Sequence, residues 1–389
     1  ENLLETWCRR RKMGALGFVG RFIGIGGEAR VHLGTLRPLS KPGQEATTNY
    51  LYRYRGRVET GEQELVFDVV AKRFLPREPL TRGNNEYRML RVLPSAIVPK
   101  AHGALLNRRL KVNGESQVLV LFTDYIEGAV EVGKQIWDLM KKASQKKALG
   151  KSPDSELKRL DATVQESIDM IVFPFHRAGF KTWHSSGATI KPGDSYYKWY
   201  HRELEQNLAL LRATKVITAN KSKGLSKIFH RAWNRILSRV KATEIHRDLM
   251  WRQILKTKDG RLMILDLDEH TAGHAGKDLA DLCAANRFIA EDLRSPNAMY
   301  VRGVAEHLNT LILKRYMQNV DKMRAVWAEG LENTARVYLA YRHLHDAAYY
   351  APVWRQAERA SEIRKYKRYV VFSLRCLDKS TKLMDDLLQ

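Results

Sequence analysis

Two carboxylates, Asp248 and Asp266, stand eighteen positions apart in the stretch Ile245–Leu282, IHRDLMWRQILKTKDGRLMILDLDEHTAGHAGKDLADL. Between them Lys258, Asp259 and Gly260 separate the runs 253–255 and 262–265. An Asp-Gly pair flanked in this way is the strongest short-range signal for a hairpin. The hairpin is expected to fold the Asp248 loop back beside the Asp266 loop, so that both side chains enter one cleft opposite Lys72. Transfer of a phosphoryl group to a hydroxyl needs two such acids. One positions and deprotonates the hydroxyl, and the other holds Mg²⁺ on the phosphates. Asp268 adds a further acid beside the second of them.

The elements that must position these groups follow in chain order. In FIGIGGEARVHLGTL, the glycines Gly24, Gly26 and Gly27 would let backbone N–H groups approach phosphate oxygens. Val31, Leu33 and Leu36 predict the returning strand. Tyr50, Tyr52 and Tyr54 alternate, which predicts another strand, and LVFDVVAKRF, carrying Ala71 and Lys72, a third. Residues 81–93 read as a helix capped by Asn84 or Asn85, with Glu86 in its first turn. Asn113-Gly114 marks a second hairpin. Residues 130–165 are helical and lysine-rich, broken by a loop at Gly150, Ser152 and Pro153. An apolar helix follows over 160–178, which Pro174 would kink. Residues 180–244 are basic and carry Tyr196, Trp199 and Trp233. That mixture suits sugar stacking, phosphate contacts or nucleic acid; it also suits helices packed through their aromatics with a wet basic face. Residues 283–389 read as wholly helical. The last helix, KYKRYVVFSLRCLDKSTKLMDDLL, is basic and amphipathic, which fits core packing, a membrane surface or a partner.

His246-Arg247-Asp248-Leu249 matches the H-R-D-L of the kinase catalytic loop. Together with Asp266, Gly273 and Asp278-Leu279-Ala280, the stretch resembles the protein-kinase-like phosphotransferases of the aminoglycoside phosphotransferase and choline kinase branch, and possible kin among lipopolysaccharide-core sugar kinases. The resemblance implies an α+β, two-lobed fold. Residues 1–124 would form an antiparallel-sheet N-lobe that binds nucleotide. Residues 125–389 would form a mostly helical C-lobe, with a helical insertion over 180–244 before the catalytic loop. His176-Arg177-Ala178-Gly179 resembles the end of the helix ahead of that loop.

The same resemblance implies ATP and Mg²⁺ as cofactors. Asp248 would be the catalytic carboxylate, His246 a brace for its loop, and Arg247 a contact to the acceptor. Asp266 and Gln253 would hold the metal. Lys72, set by Glu86, would bind the α- and β-phosphates under the loop of Gly24, Gly26 and Gly27. Val31 and Ala71 would flank the nucleotide, and the backbone of Asp124 and Ile126 would meet adenine in the segment Thr123–Gly128. Asp278 would anchor the catalytic loop. Three positions depart from the pattern: Ala29 replaces the third glycine, Gln253 stands where the family has Asn, and Arg247 where small-molecule kinases have Gly.

The 389-residue chain carries a formal net charge of +24, with 44% hydrophobic and 28% charged residues. That size allows two lobes, and that balance is ordinary for a globular protein. Such a field attracts phosphorylated substrates, anionic lipid surfaces or nucleic acid, and is a poor host for polycations. The acceptor is therefore expected to be a neutral or anionic small molecule, sugar or glycolipid head group. Cys8, Cys283 and Cys376 show neither disulfide nor zinc spacing and fit a reducing compartment. No apolar run reaches the eighteen or so residues of a membrane span. The Met13–Gly27 stretch is broken by Arg21 and does not read as a signal peptide. The sequence begins at Glu1, which suggests a trimmed chain. Location is expected to be cytoplasmic, with room for a peripheral place at the inner face of a membrane. Two alternatives remain: a pseudokinase-like binding module, which Ala29 and Gln253 suggest, and a nucleic-acid-binding protein using the basic insertion.

Overall fold

Alternating apolar residues in the N-terminal part of the chain become a five-stranded antiparallel sheet in the order β1-β2-β3-β5-β4. The strands are β1 (Arg30–Ser40), β2 (Tyr50–Thr60), β3 (Gln63–Arg73), β4 (Ala101–Val112) and β5 (Glu115–Asp124). The structure is a computed structural model and describes residues 30–40, 50–60, 63–74, 82–112, 114–183, 188–293 and 297–388. Gly24, Gly26, Gly27 and Ala29 lie outside the described residues, and of Val31 only the strand backbone is described. Lys72 sits on the central strand β3, opposite Leu51 on one side and Leu121 on the other.

The chain divides into two compact units, residues 1–129 with 257–269, and residues 130–256 with 270–389. In the first, helix α1 (Arg82–Val92) lies on the sheet. Asn84 is not its cap. The helix already begins at Arg82, and the Asn84 amide donates to the Ser116 carbonyl at 3.1 Å and accepts the Val118 N–H at 2.8 Å. Asn84 thus extends the ladder of β5, and Glu86 falls in the second turn rather than the first. The expected Asp-Gly turn forms: the Gly260 N–H donates to the Thr257 carbonyl at 3.0 Å, with Gly260 at φ +85°. That left-handed angle is the reason glycine stands there.

The second unit is helical. It comprises α2 (Val132–Ala148), α3 (Asp154–Ser167), α4 (Phe173–Trp183), α5 (Ser195–Ala213), α6 (Ala219–Arg235), α7 (Ala275–Asp292), α8 (Ala298–Met323), α9 (Leu331–Gln356) and α10 (Ala360–Leu388). Between α3 and α4 the chain makes a π-helical turn over Ile168–Val172. Pro174 has no N–H for the Met170 carbonyl and its ring crowds it, so the turn ahead of it widens. Asp169 in that turn accepts from Arg315 and Asn319 of α8.

The inserted segment packs through its aromatics. On α6, Ser222, Leu225, Phe229, Ala232 and Trp233 recur at helical spacing and are buried, while Lys221, Lys223, Lys227, Arg231 and Arg235 are exposed. Tyr196, Tyr200 and Trp233 join Tyr338, Tyr341 and Leu344 of α9 in one core. They therefore offer no stacking platform to a ligand. Among the described residues no helix is long and apolar enough to cross a membrane.

Gly179 on α4 lets the helix approach the strand at Thr243–Ile245, because a Cβ there would collide with the Glu244 side chain. Gly179→Ala is expected to lower stability by about 1–3 kcal/mol, read by urea unfolding. An unchanged midpoint would show that the helix yields without strain.

Candidate active site

In the sheet unit, three carboxylates meet one ammonium. Lys72 Nζ donates to Glu86 Oε2 at 2.7 Å and to Asp266, and lies 3.4 Å from Asp268 Oδ2. Lys72 comes from β3, Glu86 from α1, and the two aspartates from the turn after the strand Leu262–Ile264. That strand is tied in by the Ile264 N–H, which donates to the Ile97 carbonyl at 2.8 Å. Arg82 holds Glu269 and stands 4.0 Å from Asp268. Burial acts to lower the Lys72 pKa, but Asp266, Glu86 and Asp268 outweigh it and hold the ammonium well above its usual value. Asp266 is the open member of the set, with its side chain 47% exposed and its backbone at φ +64°. A non-glycine residue there is uncommon and aims its side chain where a regular strand could not.

Ligand oxygens of Glu86, Asp266 and Asp268 lie within 4.8 Å of one another. Carboxylate oxygens are the donors a hard cation such as Mg²⁺ takes, gathered here around the Lys72 ammonium. Ala71 is buried beside Lys72 on β3. Asp124 closes β5, and its carboxylate is held by His102 Nε2 at 2.5 Å, while Ile126 follows two residues on.

In the helical unit, the loop after the strand Thr243–Ile245 is suspended from Asp278, at the start of α7. The His246 and Arg247 N–H groups donate to its two oxygens at 2.7 and 2.9 Å. His176 Nε2 lies 3.0 Å from the same carboxylate. Since an ionised carboxylate only accepts, His176 carries a proton on Nε2, while its Nδ1 lies 2.8 Å from the Tyr316 hydroxyl, whose oxygen accepts Trp327 Nε1–H at 3.2 Å. Lys277 closes the loop from the other side, donating to the Arg247 carbonyl at 2.6 Å and to Asp281 at 2.5 Å. Arg247 takes φ +74°, and its guanidinium lies 4.7 Å from the centre of the Trp199 ring. His246 is buried.

Gln253 is also buried, and its amide oxygen accepts the Met250 N–H at 2.5 Å, bracing the loop internally. Asp248 is bound by a residue that sequence reading missed. Arg342 Nη1 on α9 donates to Asp248 Oδ1 at 2.8 Å, approaches Asp281 at 3.4 Å and, through Nε, donates to Asp346 at 3.0 Å. Burial would raise the Asp248 pKa, but the Arg342 charge and hydrogen bond exceed it and hold the carboxyl well below its usual range. Burial pushes Asp281 up to about 7 in spite of its cations.

No family model and no curated protein matches the chain. Solved structures do. A glucosamine kinase in complex with glucosamine, ADP and inorganic phosphate superposes with a TM-score of 0.59 at 16% identity, covering 93% of this chain and 84% of that one. A second crystal form of glucosamine kinase gives 0.57 at 15% identity, covering 96% and 84%. The chain therefore shares the fold of these kinases, with an antiparallel sheet in its N-terminal unit and helices in the other.

Proposed function

We propose that the chain is an ATP-dependent phosphotransferase that moves the γ-phosphoryl group to a hydroxyl of a neutral or anionic small molecule, such as a sugar or glycolipid head group. The observation that supports it most is the Lys72–Glu86 pair with Asp266 beside it, the arrangement by which a kinase positions nucleotide phosphates. Lys72 would leave Asp266 for the α- and β-phosphates while Glu86 keeps it aimed. The backbone of Asp124 and Ile126 would meet adenine between Val31 and Ala71, and Gly24, Gly26 and Gly27 would cover the phosphates. Asp266 and Asp268 would hold Mg²⁺, which when bound neutralises charge on the phosphates. An amide oxygen has two lone pairs, so Gln253 keeps one for the ion beside its bond to Met250.

In the reaction the acceptor oxygen attacks the γ-phosphorus, the bond to the bridging oxygen breaks, and ADP leaves. Asp248 orients the hydroxyl and takes its proton. Arg342 keeps Asp248 ionised and fixes a positive charge beside it. The net charge of +24 disfavours a polycationic acceptor. The glucosamine bound in the neighbouring structure supports an acceptor of sugar size.

Labelled ATP incubated with sugars, sugar phosphates, amino sugars and glycolipids tests this reading. Failure to label any hydroxyl acceptor, in protein that binds ATP, would overturn it. Arg342→Met carries a separate expectation. Without the guanidinium, only the charges of Lys277 and His246 oppose burial at Asp248, so its pKa rises. The acidic limb of the rate–pH profile should then move to higher pH. A limb that stays in place would mean that Arg342 does not set the charge of Asp248.

A further inference from the structure

On α10, Arg364, Arg368, Val371, Arg375 and Lys379 recur at intervals of three and four residues and share one face. That face borders a cavity of about 540 Å³ whose other walls are α7 and α8. Seven basic and two acidic side chains line it. The acids are already engaged: Glu306 pairs with Arg287 at 3.1 Å, and Glu291 with Arg302 at 3.2 Å and Arg368 at 3.6 Å. Among the described residues, Arg364, Lys367, Arg375 and Lys379 have no carboxylate partner. Arg375 and Lys379 stand one turn apart, where like charges repel. The floor is apolar, made by Ala290, Ala305, Val371 and Phe372, with Phe372 set edge-on to Phe288 at 5.5 Å.

A solvated basic face needs no hollow, and an apolar ligand needs no ring of cations. The two together fit a molecule with a charged head and an apolar body. The volume falls in the range of small-molecule sites, roughly 300–1,000 Å³. Arg375 and Lys379, one turn apart, favour a phosphoryl group, which offers three acceptor oxygens and up to about two charges, and which arginine binds through paired N–H groups.

We propose that the cavity between α7, α8 and α10 binds a phosphorylated amphiphile, its phosphoryl group on Arg375 and Lys379 and its hydrocarbon on the Val371–Phe372 floor. Its chemistry is shared by a soluble organophosphate and by a phospholipid, and the site is independent of the phosphotransferase reading.

The test uses the whole chain at about 0.15 M salt, where long-range attraction is screened. Octyl phosphate below its micelle concentration is titrated by calorimetry, beside inorganic phosphate. Phosphatidylcholine vesicles with and without phosphatidic acid are sedimented with the protein. Octyl phosphate should bind one to one, at least about tenfold tighter than inorganic phosphate. Arg375→Glu with Lys379→Glu should weaken it by about tenfold or more. Lys142→Glu with Lys147→Glu on α2, the same change of net charge, should leave it within about twofold. Both residues of each pair are exposed, so folding should survive; circular dichroism checks this, and the Gln substitutions give the same reading if a Glu variant fails. Retention on phosphatidic acid vesicles that only the α10 variant loses assigns the lipid. Octyl phosphate binding without vesicle binding assigns the soluble ligand. Equal loss in both variants, or octyl phosphate binding no tighter than inorganic phosphate, overturns the proposal.

Discussion

Asp248→Asn should reduce phosphoryl transfer by roughly 10²–10⁴-fold while nucleotide binding stays unchanged. The substitution keeps the size of the side chain and an oxygen for Arg342, 2.8 Å away, so the loop has little cause to move. What it removes is the site for the acceptor's proton. Asp248 is a weak base as it stands, because Arg342 holds its carboxyl below the usual range. Its contribution is therefore to aim the hydroxyl and to receive the proton once the oxygen–phosphorus bond has formed, as a loose transition state allows. Nucleotide contacts are assigned to the other unit, so an ATP-dependent thermal shift should persist. Single-turnover rates with labelled ATP give the readout. A variant within about threefold of wild type would take Asp248 out of the chemistry.

Asp278→Ala is expected to give the largest loss of stability. The carboxylate is fully buried and accepts from His246 N–H, Arg247 N–H and His176. Truncation strands two backbone donors and the end of the His176–Tyr316–Trp327 chain in an interior with no other acceptor supplied. Each orphaned buried donor costs about 1–3 kcal/mol, and loss of one partner of a buried charged network about 3–5 kcal/mol. Chemical denaturation should show a loss of that order, and the catalytic loop should lose its register with it. The pH dependence has a definite sign. Burial would raise the Asp278 pKa, but His176 and the N–H groups overcome it, so the folded value lies below the unfolded one of about 3.9. Its stabilising contribution is therefore full at neutral pH and is lost as pH falls through the folded value. The Ala variant should show a flatter decline in stability below about pH 4 than wild type. Parallel declines would locate the acid sensitivity elsewhere.

Much of this was legible in the chain because the signals are local. The Asp259-Gly260 turn, the alternation around Tyr52 and Ala71, and the run from His246 to Asp278 each fit in a short window. The placement of Glu86 beside Lys72 needed only one helix after one strand. Arg342 was not legible. It stands 94 residues from Asp248, and it reaches that residue only because α9 packs against α7. Its signals were the i,i+4 pairs Arg342–Asp346 and Lys277–Asp281, which look like surface pairs until burial is known. The aromatics of the insertion had two readings, and burial decides for packing at Tyr196 and Trp233. Asn84 had the chemistry of a cap, but β5 offered its amide two backbone partners.

The sheet unit is discontinuous: residues 257–269 belong with residues 1–129. On the ribosome its first part emerges long before its last. At roughly 5–20 residues per second the intervening Val130–Lys256 segment takes on the order of ten seconds to make. Throughout that interval Lys72 and Glu86 exist without Asp266 and Asp268, and Ile97 without Ile264. All five strands are made by Asp124, so what waits is the cluster around Lys72: a ribosome that stalls before Asp266 leaves that ammonium with one of its three carboxylates.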